Sequence, residues 1–232
     1  VSYEDARNIQ NWLKGRVVLN TPGDVSPNSV TCVGVRGRWP GEVKVAAATY
    51  EWPKLKVKHA ACSLSLHSVP PFPQELEAFS LAPIVIDAIE DLCSDVELLV
   101  VEGHGINHIR RFGLASHIGI LTDTMTVGVA TEQPWGIVSD QEIHIVGEEV
   151  VFTEEHRRII EALELPMDPT DKVYDYTVGK VVGNLYAAPG HLISVEDAAR
   201  VAAHLLRNGV VPTYDGIMED YDKQGGIGHG GY

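Results

Sequence analysis

The chain has 232 residues, 44% of them apolar, and carries 18 basic against 32 acidic side chains for a formal net charge of −14. That length supports one substantial domain, and no apolar run approaches the roughly 20 residues that span a bilayer. The acidic balance argues against a nucleic-acid partner, because grip on a phosphate backbone comes mainly from cations that displace counterions.

In chain order, residues 3–14 fit a short amphipathic helix with Ile9, Trp12 and Leu13 on its apolar stripe. The loop NTPGDVSPNS follows, then VTCVGVRG, EVKVAAATYEW and KLKVKHAACSLSL, each bounded by Gly or Pro as a meander of antiparallel strands would be. PPFPQ breaks the chain, and a helix is predicted over 83–93 with Pro83 in its first turn. The continuous apolar run VELLVV predicts a strand buried on both faces. RFGLASHIGILTD then reads as a helix and MTVGVA as the next buried strand. Strands are expected in EIHIVGEEVVF and KVVGNLYAAPG, around a helix near 154–164. SVEDAARVAAHLLRNG is the best-formed helix: Ser194 caps it, Asp197 stands at capping-box spacing, and Asn208-Gly209 stops it. Antiparallel strands followed by alternating helix and strand imply an α/β fold, a mixed central sheet flanked by helices on both faces. One domain over 1–222 and a flexible glycine-rich tail over 223–232 are expected.

Cys32, Cys62 and Cys93 sit singly and form no CxxC, and the opening VSYEDARNIQNW lacks the plan of a secretory signal. A reducing cytoplasm is the expected location.

The block VVEGHGINHIRRFGLASHIG, together with TVGVA and AAPGHLISVEDA, resembles endonuclease V over about residues 30–210. The resemblance implies a ribonuclease-H-like fold and Mg²⁺-dependent cleavage near deoxyinosine in DNA or inosine in RNA. It also implies three metal-binding acids, and here the sequence departs from the pattern. Arg36 in GVRGRW stands where the first acid belongs, Leu81 in FSLAP where the second belongs, and Glu102 alone is retained. The family lysine after GVA is Thr131, and Glu219 or Asp220 are the stand-ins for its C-terminal ligand. The family's base-displacing turn falls on PPFPQ, with Phe72 at the aromatic position or simply covering the core.

One carboxylate does not supply the several oxygen ligands that Mg²⁺ requires, so no metal and no cofactor is expected. In the fold that the resemblance implies, Arg36 and Glu102 would end neighbouring strands, close enough to pair. Glu102 and His104, two apart at a strand end, point to one side and with His108 form a candidate acid–base group. Arg36, Arg110, His117, His191 and Phe72 are candidate substrate-binding residues, with the arginines offering bidentate contacts to a small anion. For each histidine the alternative is a bond that holds the turn; for Arg36 and Glu102 it is a structural ion pair. The leading expectation is a metal-independent enzyme of acid–base, elimination or cyclisation type acting on a small anionic metabolite. A non-catalytic partner subunit of a heteromeric complex is one alternative, and a protein partner or a homo- or hetero-oligomer is among the expected partners. An inosine-directed repair endonuclease or binder is another.

Overall fold

The computed structural model describes residues 2–37, 42–65, 72–92, 96–132, 135, 137–139, 141–145 and 176–223. Helix α1 spans Tyr3–Lys14, opened by Ser2, whose hydroxyl and the Asp5 carboxylate form a reciprocal capping box. Strands β1 (Ser29–Arg36), β2 (Val43–Glu51) and β3 (Lys56–Ser65) form the expected antiparallel meander. A 3₁₀ turn and α2 (Ala78–Glu90) follow, then β4 (Leu98–Glu102), α3 (Leu114–Thr122) and β5 (Met125–Ala130). Short β6 (Ile137–Ser139) and β7 (Glu142–Ile145) lead to β8 (Tyr176–Val182) and β9 (Leu185–His191). Helices α4 (Val195–Arg207) and α5 (Tyr214–Lys223) close the described chain.

The strands lie in one sheet in the order β3-β2-β1-β4-β5-β9-β8-β7-β6. β1, β4 and β5 run parallel to one another, while every other neighbouring pair is antiparallel, which makes the sheet mixed. On one face Val30, Cys32, Ala46 and Val100 pack under Ala198, Val201 and Leu205 of α4 and Ile217 of α5. On the other, Val33, Val45, Ala47 and Val101 pack under Ala82, Val85 and Ala88 of α2 and Ile118 of α3. Alternate strand residues face opposite ways, so a strand with helices on both sides must be apolar throughout. β4 is apolar over its first four residues, all buried, and β1 is buried over its first six, with Thr31 among the polar exceptions, its hydroxyl bonded to that of Thr49.

Three elements differ from the sequence-based expectation. α2 begins at Ala78, five residues early, and encloses Pro83. The proline ring faces solvent while Ala78, Ala82, Ile84 and Val85 are buried, so burial of that stripe outweighs the helix bond that proline cannot donate. KVVGNLYAAPG divides into the ends of two antiparallel strands, turned at Gly183 with φ +62°. Residues 214–223 form a helix where the glycine-rich end gave no expectation of one. The helix expected near 154–164 and the tail from 224 lie outside the described residues. Among the described residues no helix is long and apolar enough to cross a membrane.

Candidate functional site

β1 and β4 lie side by side and parallel, so both present their carboxyl ends at one rim of the sheet. Open α/β sheets bind ligands at that rim. A cleft of about 550 Å³ opens there, lined by Val35, Arg36, Phe72, Leu81, Glu102 and His104, with Ser80, Glu77, Thr131 and Glu132 also on its wall. Arg36, Leu81 and Glu102, the three positions singled out by the departures from the acidic pattern, therefore share one cavity.

Glu102 is half-buried and its Oε2 accepts two backbone N–H groups, from Val35 at 3.1 Å and from Tyr214 at 2.8 Å. Burial pushes its carboxyl above the usual carboxylate range, and the Asp215 charge adds to this; the two N–H donors and Arg36 act the other way. The carboxylate thereby joins the end of β1, the end of β4 and the start of α5. That helix start rests directly on β1: a Cβ on Gly34 would stand 2.1 Å from the Tyr214 nitrogen.

The Arg36 guanidinium engages Asp215 rather than Glu102, and lies 5.0 Å over the Tyr214 ring. The expectation that Arg36 and Glu102 pair is thus corrected. Strand adjacency brings their backbones together, but α5 supplies an acid nearer the guanidinium and claims the Glu102 oxygen for its own N–H. Tyr214 and Asp215 are not among the candidates that the sequence offers. A signal was present, since Thr213 accepts from the Gly216 N–H and Asp215 sits in the first turn, as an N-cap and first-turn acid should. Glu77 and Glu132 gave no comparable signal.

The other candidates are scattered. His104 lines the cleft, where the turn after β4 is threaded tightly: Gly103 has φ +148°, and a Cβ on Gly105 would stand 2.1 Å from the Pro189 oxygen. His108 is buried, its Nδ1 accepting from the Arg110 N–H at 3.2 Å. His104 and His108 stand four apart, a spacing compatible with a ligand pair, with ring centroids 6.3 Å apart. Arg110 turns to α1, bonding the side chains of Gln10 and Asn11. His117 is buried between Phe79 and Phe112, at ring separations of 4.7 and 5.4 Å. Burial pushes its imidazole down to about 4, so it is neutral at physiological pH. His191 is buried and accepts the Val18 N–H on Nδ1 at 3.2 Å, with Asp123 4.0 Å from its other nitrogen. Burial lowers its pKa, opposed by the Asp123 charge. Phe72 sits at the cleft and meets Phe79 at 5.6 Å between ring centroids.

Among the described residues, the donor set at this rim does not suit a Mg²⁺ ion, which requires several convergent oxygens. One Glu102 oxygen already takes two backbone donors, and Asp215 is held by Arg36. Among the described residues, no three His, Cys, Asp or Glu side chains are grouped so that they could hold a metal.

A sequence profile for endonuclease V matches residues 13–214. An endonuclease V from Desulfurococcus amylolyticus is 30% identical over 225 residues, covering 95% of this chain and 94% of its own. The crystal structure of endonuclease V from Streptomyces avermitilis superposes with a TM-score of 0.61 at 27% identity, covering 88% of this chain and 84% of the other. Endonuclease V from Ciona intestinalis, in complex with a 24mer DNA containing an inosine followed by a ribo-adenosine, superposes with a TM-score of 0.63 at 18% identity, covering 97% and 98% of the two chains. That complex corrects the expectation against nucleic acid drawn from net charge, and the small anion set in its place. A chain of this fold holds DNA, so a whole-chain charge sum does not decide whether individual side chains contact a strand.

Proposed function

Because the chain belongs to the endonuclease V family, we propose that it is an inosine-directed nucleic-acid-binding protein that holds its strand without cutting it by Mg²⁺ chemistry. One observation carries this: Arg36, Leu81 and Glu102 line a single cleft where the family resemblance implies three acids. A guanidinium there donates hydrogen bonds and offers a metal no oxygen, and a leucine offers no ligand. Water activation and leaving-group stabilisation both depend on the metal in such chemistry, so the cleavage step lacks its main support. Binding does not depend on it. Phe72 on the cleft wall gives an unstacked base an aromatic surface, worth about 1–3 kcal/mol per stacked base in other single-strand binders.

Acid–base chemistry by Glu102, His104 and His108 is the weaker alternative. The Glu102 Oε2 accepts two backbone donors, and His108 is buried and is not among the described residues lining the cleft.

The test pairs two measurements on one oligonucleotide carrying a single inosine, against the same strand with adenosine. Fluorescence anisotropy is expected to give tighter binding of the inosine strand, and denaturing gels after incubation with excess protein in Mg²⁺ or Mn²⁺ to show it intact. Efficient nicking would remove the claim that cleavage is lost; equal affinity for the two strands would remove the claim of inosine direction.

A further inference from the structure

We propose that Arg36 is the phosphate contact of the bound strand in this cleft, and that Asp215 occupies its guanidinium until the strand displaces it. The inference rests on the strand-binding role proposed above and specifies where in the cleft the backbone must run.

Among the described residues lining the cleft, Arg36 is the sole Lys or Arg, whereas Glu77, Glu102 and Glu132 are acidic. Among these described side chains, the guanidinium is the one that offers a phosphodiester charge-assisted donors. The backbone therefore has to approach on the Arg36 side, which leaves the Phe72 surface to a base.

Arg36 is suited to such an exchange. Its side chain is 56% exposed and that of its partner Asp215 is 63% exposed. An ion pair so open to water contributes little net free energy, so releasing Asp215 costs little. A phosphate offers the guanidinium two parallel charge-assisted hydrogen bonds in return. Meanwhile the surface beneath Arg36 stays fixed. The Tyr214 ring under the guanidinium belongs to a residue whose N–H is held by Glu102 at 2.8 Å and whose backbone is seated against Gly34. Only the Asp215 side chain, in the exposed first turn of α5, has to swing away.

The experiment measures binding of the inosine-containing single strand by anisotropy over a KCl series for the wild type, Arg36→Gln, Asp215→Asn and the double variant. Arg36→Gln is expected to weaken binding about tenfold and to lower the slope of log K against log salt by roughly 0.7, one phosphate's share for a single strand. Asp215→Asn is expected to tighten binding roughly two- to fivefold by removing the competitor, and the double variant to bind as weakly as Arg36→Gln. Arg36→Lys keeps the charge but not the fork, so its affinity should fall with the salt slope unchanged; it serves if the glutamine variant does not fold. Unchanged affinity and slope in Arg36→Gln would overturn the proposal. So would an Asp215→Asn gain that persists undiminished in the double variant, because general charge relief would then explain it. Failure of the wild type to prefer inosine over adenosine strikes the proposed function alone, since the Arg36 slope is still read on either strand. A wild type that binds neither strand removes both.

Discussion

Replacing Glu102 by alanine separates its role as a clamp from any role in chemistry. The substitution leaves the N–H groups of Val35 and Tyr214, bonded at 3.1 and 2.8 Å, without their shared acceptor. Each unsatisfied buried donor costs about 1–3 kcal/mol, and the opened cleft admits water to part of the site, so a total of about 3 kcal/mol is expected. For a chain of this size that is a fall in Tm of roughly 6–12 °C. Glutamine keeps a single oxygen that can accept both bonds and removes a charge that burial disfavours, so little change in Tm is expected for Glu102→Gln at neutral pH. Differential scanning calorimetry gives the Tm values, and amide hydrogen exchange at Val35 and Tyr214 locates the damage. The pH dependence has a definite sign. Burial raises the folded-state pKa of Glu102, so the folded chain takes up this proton before the unfolded chain does. Its contribution to stability therefore improves as pH falls through the raised pKa towards the ordinary glutamate value, and Glu102→Gln should abolish that contribution. An alanine variant with wild-type Tm and unchanged exchange at the two amides would refute the clamp.

Gly34→Ala puts a Cβ 2.1 Å from the Tyr214 nitrogen and 2.4 Å from its Cα, both backbone atoms that cannot rotate away. α5 should lift from β1 at a cost of about 1–3 kcal/mol, visible as faster amide exchange over 214–223 than in the wild type. His117 is held neutral, from about 6.5 down to about 4. The unfolded chain binds that proton first, so the contribution is full above 6.5 and is lost as pH falls towards 4. The loss reaches about 3 kcal/mol, and His117→Leu should lessen the fall in urea midpoint between about pH 7.5 and about pH 4.5. Gln10 is buried and donates to the Glu75 and Phe112 carbonyls at 2.9 and 3.1 Å while accepting from Arg110. Gln10→Ala should cost about 2–4 kcal/mol by leaving those partners unsatisfied, with limited proteolysis showing α1 released first.

Local pattern was enough wherever one element's own chemistry decides its form. Apolar runs bounded by turn residues located β1, β4 and β5, and the Ser194 cap with the Asn208-Gly209 stop located α4. The glycine and histidine block placed Glu102 and His104 at a strand end, and the departures at Arg36 and Leu81 marked positions that share its cleft. Pro83 lies deeper in α2 than its own propensity allows because the buried stripe around it outweighs one missing bond on the solvent side.

The sequence by itself determined the layered α/β plan, because hydrophobic periodicity and turn chemistry act over a few residues, and the family resemblance marked Arg36, Leu81 and Glu102 as positions of one site. Only the tertiary structure decided what those side chains do there. Glu102 bonds Tyr214, 112 residues away, and Arg36 meets Asp215, 179 residues away. Hydrogen-bonding and ionic contacts extend only a few ångströms, so a carboxylate's partner is set by whichever segment the packing brings within reach. Here that segment is α5, seated on the bare Cα of Gly34.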